Sequence, residues 1–514
     1  MKKLIYTVLS IVVISGCAKR GSPTGGLIDS IPPVLINSSP KINSTNFDSD
    51  EIRLTFDEYV KLDKVEEQLI ISPPLDKNSY EVKPLNGVTK KVFLEFIDSL
   101  ETETTYSINF GNSIKDNNEG NPLTFFSYTF STGETIDSLY VRGNISDAFD
   151  KETDDYISIH LYRIDSIFND SIIFNNRPTY ISNSLDSTNY QFKNLKEGKY
   201  LIVAIKDVDN NYFFDPFYDK IGFIDSLITL PRDSIINLKL FKEETTLIWD
   251  KPHFINSEKI GFGYYGKLDL KNIKIESSIP DSVQYTYTKE SEKDTLIFWL
   301  SKNSFDSLNF NLIEKDTTKL VTIKFDRARD TLIDSLSISP KTANVIHLKE
   351  AFKLSSNIPL KNIEDSLITI RDIDSLIVPF TTSINENLDQ IDIEFEVSPS
   401  DNYRVFILPE AIKDVRGVSN DTLQYNVVSQ TLEDYGNVYL DVIRNSESKF
   451  ILHMINNNGD VIREFKNVNQ DTTYNFDYVR PGKYTFRLIE DANNNDIWDT
   501  GNYLKKIKPE SVYY

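Results

Sequence analysis

The sequence predicts an all-β protein built from tandem β-sandwiches, and two patterns indicate this fold class. Apolar and polar residues alternate over short segments, which places one side of each segment in a core. The clearest alternating runs are Ile52-Leu54-Phe56, Val92-Leu94-Phe96 and Tyr106-Ile108-Phe110. The dipeptide Asp-Ser also recurs before apolar segments, at Asp98-Ser99, Asp137-Ser138, Asp225-Ser226 and Asp334-Ser335. Because Asp and Ser side chains bond their own backbone in turns, these pairs indicate turns ahead of strands. No long stretch has a helical period.

Composition narrows the function classes before any motif is considered. The 514 residues include 77 acidic and 56 basic side chains, a formal net charge of −21. At roughly 100–200 residues per domain, this length predicts about three to five domains. The acidity argues against a nucleic-acid partner, since phosphate binding needs a basic surface. The single cysteine excludes an internal disulfide and any zinc site that needs two cysteines of this chain.

The N-terminus predicts a signal peptide over residues 1–16, followed by a lipidated cysteine. Lys2 and Lys3 precede an apolar run that extends from Leu4 to Ile14 and is too short to cross a bilayer, which takes roughly 20 residues. The run ends in Ile14-Ser15-Gly16-Cys17, which resembles the lipobox of bacterial lipoproteins. This resemblance implies that Cys17 is acylated and that its acyl chains (palmitate or similar) anchor the chain in a membrane. The alternative is an ordinary secretory signal with a chance cysteine.

The residues after Cys17 indicate where the anchor is placed. Ala18 follows the cysteine, and the resemblance to lipoprotein sorting rules implies the outer membrane. Lys19-Arg20 stands where Bacteroidota-type lipoproteins carry an acidic cluster that resembles a surface-export signal. The absence of that cluster favours the periplasmic face over the cell surface. Residues 17–30 are rich in Gly, Ser, Thr and Pro and predict a flexible tether.

Residues 31–133 resemble the bacterial Ig-like domains of surface-layer and cell-envelope proteins. The motifs that carry the resemblance are Pro32-Pro33-Val34, Ser39-Pro40, Ile52-Arg53-Leu54-Thr55-Phe56-Asp57-Glu58, Thr105-Tyr106-Ser107-Ile108, Ile114-Lys115-Asp116, Asn121-Pro122-Leu123 and Phe130-Ser131-Thr132. The resemblance implies a β-sandwich of about 100 residues.

Residues 138–242 resemble the transthyretin-like, or carboxypeptidase-regulatory, sandwich. The opening strand is Leu139-Tyr140-Val141-Arg142-Gly143-Asn144-Ile145, and a later strand ends in Glu197-Gly198-Lys199-Tyr200. In that family a strand, a Glu-Gly or Pro-Gly turn and an aromatic strand form a recurrent unit. Gly198 gives the backbone freedom that a tight turn needs.

Both modules recur later in the chain. Gly198-Lys199-Tyr200 returns as Gly482-Lys483-Tyr484, and an aspartate follows each tyrosine by seven positions, at Asp207 and Asp491. Ile114-Lys115-Asp116 returns as Ile412-Lys413-Asp414. The repeat predicts a second, divergent Ig-like domain over residues 333–431 and a second transthyretin-like sandwich over residues 435–514. Residues 243–332, which contain Trp249 and Trp299, match neither module and predict an unclassified β-sandwich.

The second transthyretin-like sandwich has fewer residues after its aspartate loop than the first. In the first copy strands are expected to continue as far as about Phe241, whereas the chain ends at Tyr514 in the second. The second copy is therefore expected to lack a strand. Two explanations are open: the chain is a fragment, or a partner strand completes the edge.

The repeated aspartate loops are the candidate metal sites. Oxygen-bearing side chains occupy positions 1, 3, 5 and 9 of both loops, the register in which calcium loops collect ligands. These candidate ligands are Asp207, Asp209, Asn211 and Asp215, and Asp491, Asn493, Asn495 and Asp499. The glycine at position 6 and the glutamate at position 12 of a calcium loop are missing. The alternative is a tight turn whose side chains bond their own backbone.

No catalytic pattern stands out in the sequence. His160 alternates with Ile159 and Leu161 and is expected on the polar face of a strand, with His453 in the equivalent strand of the repeat. His253 and His347 have no carboxylate or cysteine pattern beside them, and no Gly-x-Ser-x-Gly elbow occurs. The leading hypothesis is a non-catalytic structural or protein-interaction lipoprotein of the envelope. The alternatives are a glycan-binding lipoprotein with exposed aromatic side chains, and a hydrolase centred on the middle segment.

Overall fold

The structure is a computed structural model, and the predicted fold class is confirmed. It describes residues 29–164, 169–185, 187–268, 275–277, 279, 283–290, 293–301, 306–314, 317–325, 334–341, 344–444 and 447–514. Helix in this part of the chain is limited to two four-residue turns, α1 (Val65–Gln68) and α2 (Ile172–Asn175), and two 3₁₀ turns, Asp365–Leu367 and Leu432–Asp434. The rest of its regular structure is strand. The signal peptide and Cys17 lie outside the described residues.

The chain forms two compact units, and both contain more than one segment. Unit 1 holds the described residues up to 145 together with 155–204 and 226–238. Unit 2 holds residues 146–154, 205–225 and 239–514. The predicted domain boundaries stay a prediction.

The first sandwich lies in unit 1 and has two sheets. Its strands are β1 (Leu35–Ser39), β2 (Glu51–Leu62), β3 (Ile70–Ser72), β4 (Tyr80–Lys83), β5 (Thr89–Phe96), β6 (Thr105–Asn109), β7 (Ile114–Asp116) and β8 (Ser127–Ser131). One sheet has the order β1-β2-β5-β4 with β7 on β2, and the other has the order β3-β6-β8. All three alternating runs of the sequence point into the core between these sheets, where each member is at most 8% exposed.

The first repeat supplies the next strands: β9 (Leu139–Asp147), β10 (Ser158–Arg163), β11 (Tyr180–Asn183), β12 (Asn189–Leu195), β13 (Gly198–Lys206), β14 (Lys220–Phe223), β15 (Ile228–Leu230) and β16 (Leu238–Lys242). In unit 1, β9 pairs with β12, and the strands β11, β10 and β13 are bonded in that order with β15 on β13. In unit 2, β14 pairs with β16.

The middle segment, in unit 2, is a sandwich of its own. Its strands are β17 (Ile248–Trp249), β18 (His253–Asn256), β19 (Lys259–Tyr265), β20 (Ile275–Ser277), β21 (Tyr285–Lys289), β22 (Thr295–Leu300), β23 (Ser307–Glu314) and β24 (Thr317–Lys324). Buried aromatic side chains from both of its sheets, including Trp249, Phe298 and Phe310, pack into one core.

The second Ig-like segment repeats the strand order of the first sandwich. Its strands are β25 (Ile338–Pro340), β26 (Val345–Ile346), β27 (Phe352–Ser356), β28 (Leu360–Ile363), β29 (Ile368–Arg371), β30 (Phe380–Ile384), β31 (Gln390–Phe395), β32 (Asn402–Ile407), β33 (Ile412–Asp414) and β34 (Leu423–Ser429). The order β25-β27-β31-β30 matches β1-β2-β5-β4, and β29-β32-β34 matches β3-β6-β8. Asp116 in β7 and Asp414 in β33 hold the same place in the two copies, opposite Val60 and Leu360 respectively.

The C-terminal segment repeats part of the strand order of residues 138–242. Its strands are β35 (Gly436–Val442), β36 (Lys449–Ile455), β37 (Val461–Val468), β38 (Thr472–Val479), β39 (Thr485–Asp491) and β40 (Val512–Tyr513). The pair β35-β38 matches β9-β12, and β37-β36-β39 matches β11-β10-β13. His160 in β10 and His453 in β36 therefore lie in equivalent strands, as the sequence predicted.

The expected exposure of His160 is wrong. Its side chain is fully buried, with Nε2 2.8 Å from the hydroxyl of Ser158 and Nδ1 3.4 Å from that of Tyr162. All residues of β10 from Ser158 to Tyr162 are buried, because both faces of this strand are covered. The alternation of residue types in β10 therefore cannot show which side chains are exposed. Burial lowers the pKa of the His160 imidazole to about 3.

The buried imidazole predicts acid lability of unit 1. Because the folded pKa lies below the ordinary value of 6.5, the folded state binds fewer protons than the unfolded state, and stability falls as the pH drops below 6.5. The slope contributed by His160 is about 1.4 kcal/mol per pH unit. Calorimetric unfolding between pH 7 and 4 should show this slope in the wild type and lose it in His160→Gln. His453→Gln, which changes unit 2, should leave the unit 1 slope unchanged; an identical pH slope in the wild type and H160Q would contradict the assignment.

Candidate functional site

The first aspartate loop, in unit 2, is closed by two buried carboxylates. Asp207, 8% exposed, accepts hydrogen bonds from the backbone N–H groups of Asn211 (3.2 Å) and Tyr212 (2.8 Å). Asp219, 3% exposed, accepts from Val208 (3.0 Å) and Asp215 (2.8 Å). Four backbone donors of the loop are thus satisfied from inside it.

The second loop uses the same plan with one different residue. Asp491 accepts from the backbone N–H groups of Asn495 (3.0 Å) and Asp496 (3.2 Å). Glu510 is the counterpart of Asp219, because its carboxylate accepts hydrogen bonds from the backbone N–H groups of Ala492 (2.7 Å) and Asp499 (2.9 Å). Both loops are therefore fixed by a carboxylate at their start and a second one that follows them in the chain.

Sequence reasoning missed both of these closing residues. Asp219 follows Asp215 by four positions, a spacing that could have indicated a backbone-bonding aspartate. Glu510 gave no such signal, because residues 500–509 separate it from the end of its loop.

The other predicted ligands also make hydrogen bonds within their loops, with the exception of Asp209. Asn211 accepts from Phe213 N–H (2.7 Å), and Asn495 accepts from Ile497 N–H (3.0 Å). The side-chain amides of Asn493 and Asn495 donate to Asp499 Oδ2 at 2.6 and 2.7 Å. Asp215 accepts from Phe217 N–H at 2.9 Å, while Asp209 is exposed and makes no hydrogen bond with a described residue.

These contacts favour the backbone-bonded turn over a calcium site. Two amide groups point nitrogen, not oxygen, at Asp499, and nitrogen donors cannot ligate a cation. Within the described residues, no cluster of three or more His, Cys, Asp or Glu side chains could hold a metal ion. Calcium binding by the loops stays a prediction.

The electrostatics of the first loop reflect its burial. Burial raises the pKa of the Asp207 carboxyl, and the backbone N–H groups it accepts from oppose the rise. Burial also raises the pKa of Asp219, with the nearby charge of Asp207 acting in the same direction.

Within unit 2, the two repeats pack against each other beside these loops. Glu243, which follows β16, accepts from the backbone N–H of Tyr503 (2.5 Å) and the side-chain amide of Asn502 (3.1 Å). The Tyr503 ring is fully buried and meets the Phe223 ring edge-on at 5.2 Å. We call this set of contacts, with those of Lys508 and Arg487 below, the repeat clamp.

Cations and aromatic rings complete the repeat clamp. The Lys508 ammonium lies 3.4 Å from the centroid of the Phe223 ring and donates to the Phe223 carbonyl at 2.6 Å. The Arg487 guanidinium lies 4.1 Å from the Phe149 ring, which also packs on Trp498 at 4.7 Å. A cation–π pair stabilises by about 0.5–1 kcal/mol at an exposed site and by about 2 kcal/mol when desolvated, so the pair of buried Arg487 contributes more than that of half-exposed Lys508.

The remaining histidines are engaged in structural contacts or lie apart. His347 is bonded to the Tyr478 carbonyl at 2.7 Å, and His453 lies between Glu464 (2.9 Å) and Arg487 (3.0 Å). Beside the middle sandwich a cleft of about 550 Å³ is lined in part by His253 and Thr288. His253 makes no hydrogen bond with a described residue, so no partner there orients it as a base.

Comparison with known proteins identifies one module. Residues 29–132 match the bacterial Ig-like domain family, which confirms the expectation for the first sandwich. Among curated proteins, none matches the chain. The transthyretin-like resemblance of the two repeats stays a prediction.

Several solved structures resemble the chain weakly. They include the surface layer protein SbsC, domains 1–6 (9% identity, TM-score 0.15, covering 94% of this chain and 67% of that chain). A second is the mixed-linkage glucan utilization locus protein SGBP-B of Bacteroides ovatus in complex with a heptasaccharide (12% identity, TM-score 0.17, covering 67% and 88%). A third is BcpA, the major pilin subunit of Bacillus cereus (11% identity, TM-score 0.14, covering 73% and 91%). With TM-scores this low, none of them bears on the function.

The loop contacts predict which carboxylates stabilise unit 2. Asp219→Ala and Glu510→Ala each leave two backbone N–H groups without an acceptor and should lower the free energy of unfolding by about 1–3 kcal/mol. Asp209→Ala removes an exposed side chain and should change it by less than about 0.5 kcal/mol. Urea unfolding followed by tryptophan fluorescence measures this, because Trp249, Trp299 and Trp498 all lie in unit 2.

The same three variants test calcium binding. If the loops bind calcium, millimolar Ca²⁺ raises the unfolding temperature of the wild type, and Asp209→Ala reduces that rise although it leaves the calcium-free protein unchanged. No calorimetric heat and no shift of the unfolding temperature at millimolar Ca²⁺ would end the metal hypothesis.

Proposed function

We propose that the chain is a lipid-anchored, non-catalytic protein of the outer membrane that faces the periplasm and binds an envelope protein through a strand edge. The observation that carries the proposal is the uncovered edge of β35 in the second repeat. The Ig-like module of residues 29–132 and the structural use of the loop carboxylates support a non-catalytic role.

The first repeat provides the reference for this edge. Within unit 1, the N–H of Arg142 in β9 donates to the Ser234 carbonyl at 3.0 Å, and its carbonyl accepts from Ile236 N–H at 2.9 Å. Within unit 2, Ala148 N–H donates to the Leu240 carbonyl at 2.7 Å. A chain segment therefore covers the side of β9 that faces away from β12.

The second repeat has no such cover in the described part of the chain, where β35 bonds to β38 alone. Tyr439 pairs with Asn475 as Arg142 pairs with Gln191, so the Tyr439 N–H and C=O face away from β38. The side chains of Tyr439 and of Ile443, which directly follows β35, are 64% and 78% exposed. An edge of this kind accepts an extended strand from another protein.

One substitution between the repeats restricts how a strand can bind. A Cβ at Gly143 would lie 1.6 Å from the Ile236 carbonyl oxygen, so the covering segment of the first repeat requires glycine there. The equivalent residue of β35 is Leu440, which packs on the core of its own sandwich. A partner strand must therefore bond in the plane of β35 and cannot cross over it as residues 234–236 do.

The membrane anchor is supported by the position of the chain's one cysteine, Cys17, after the apolar run of the signal peptide. Among the described residues, no helix has the length and apolar character to span a bilayer. The expected chemistry is acylation of Cys17. Metabolic labelling with a palmitate analogue should label the wild type and place it in the membrane fraction, and Cys17→Ser should lose both; labelling of C17S would contradict the anchor.

The strand-edge interaction is tested with the lipidated protein as bait in solubilised envelope. Tyr439→Pro removes the outward N–H without breaking a bond to β38, since proline is tolerated at outward positions of edge strands. It should reduce the amount of captured partner at least tenfold. Tyr439→Ala removes the side chain but keeps the N–H, and should retain most of the capture.

Two results would contradict this proposal. Equal capture by the wild type and Tyr439→Pro would place the contact elsewhere. The wild type could also form a dimer in size-exclusion chromatography that the Tyr439→Pro variant does not form. That result would show that the edge pairs with a second copy of the chain.

A further inference from the structure

A cleft of about 790 Å³ lies within unit 1 and goes beyond the proposed function. One wall is the outer face of the sheet β3-β6-β8, and the other is formed by β9, β11 and β12. Its volume is in the range of ligand pockets, about 300–1,000 Å³.

Strand alternation places polar side chains on both walls, among apolar ones. In β6, Ser107 and Asn109 face the cleft while Tyr106 and Ile108 fill the core. In β12, the exposed side chains Gln191 and Lys193 alternate with buried aromatic residues. Serine, asparagine and glutamine on the two walls offer neutral hydrogen-bond donors and acceptors.

The charge of the cleft is opposite to that of the chain. The chain carries a net charge of −21, yet none of the described residues that line the cleft is acidic. Two lining residues are basic, Arg142 and Lys193, and neither forms an ion pair within the described part of the chain. The Arg142 guanidinium lies 5.9 Å from the centroid of the Tyr140 ring, and no described carboxylate occupies its N–H groups. A guanidinium in this state is suited to bidentate binding of a carboxylate.

One aromatic ring lines the cleft in a strained backbone conformation. Phe125 is 51% exposed, although most large aromatic residues of this sandwich are buried. Its φ is +53°, a value that bulky side chains rarely adopt, and its N–H is held by the Gly111 carbonyl at 2.9 Å. Strained residues of this kind cluster at binding sites.

We propose that this cleft binds an oligosaccharide that carries carboxylate groups. Amide and hydroxyl side chains meet sugar hydroxyls, the Phe125 ring stacks on a sugar ring, and Arg142 and Lys193 bind the carboxylates. An acidic peptide fits less well, because it would use the two cations but leave the exposed Phe125 ring and the neutral amide and hydroxyl side chains of both walls without matching groups.

Isothermal titration of the full chain tests the proposal with four probes: galacturonate and mannuronate hexamers, maltohexaose and hexaglutamate. At least one uronate hexamer should bind at least tenfold more tightly than maltohexaose and hexaglutamate, and binding should weaken as salt is raised from 50 to 500 mM. Arg142→Met, Lys193→Met and Phe125→Ala should each weaken uronate binding by at least tenfold. Each variant is first checked for an unchanged unfolding temperature, and the three changes are independent of one another.

Matched controls remove the same groups from unit 1 outside the cleft. Lys41→Met deletes an exposed cation and Tyr59→Ala an exposed ring, and neither should change the binding. The proposal is overturned by no heat with either uronate hexamer, or by equal and salt-independent binding of maltohexaose. Tighter binding of hexaglutamate, or wild-type affinity in all three cleft variants, overturns it as well.

Discussion

Buried aspartates that bind the backbone of their own loop are the interaction on which this architecture depends. Asp116 accepts from the N–H groups of Glu119, Gly120 and Asn121, and Asp414 accepts from those of Arg416 and Val418. Asp207 and Asp491 do the same in the two aspartate loops. A loop that turns back over a sandwich buries N–H groups that no strand satisfies, and an unsatisfied group costs about 1–3 kcal/mol. One carboxylate satisfies two or three of them, so part of the chain's acidity is a structural component of its folds.

Much of the fold could be predicted from the sequence, because alternation reports burial wherever one face of a strand is exposed. It placed Ile52, Leu54 and Phe56 in a core, and the spacing after Gly198-Lys199-Tyr200 correctly indicated the repeat. It failed at β10, where both faces are covered and the pattern carries no direction. The aspartate loops were located from the sequence, but the residues that close them were not. Asp219 carries only a weak signal, its spacing of four positions from Asp215, which many polar turns share. Glu510 reaches its loop only through the tertiary fold.

The two repeats, residues 138–242 and 435–514, show how one strand order tolerates different residues at the same place. Glycine at position 143 lets the chain cross closely over β9, whereas Leu440 fills the corresponding space with a side chain. Likewise Asp219 and Glu510 serve the same pair of N–H groups from different distances along the chain. Each pair of residues satisfies one physical requirement, so the strand order is retained while the residue types diverge. The cleft of unit 1 is different, because no core requirement explains its lack of carboxylates.

The repeat clamp has a mechanical consequence. Glu243 and Tyr503 are 260 positions apart, so their contact closes a loop that contains the middle sandwich and the second Ig-like segment. Tension applied to unit 2 between residues before 149 and after 508 is carried first by the clamp. The enclosed sandwiches bear no load until the contacts of Glu243, Phe223 and Phe149 in the repeat clamp break. Unit 2 would therefore extend in steps under tension. The length of chain enclosed by the clamp becomes available only after the clamp contacts break.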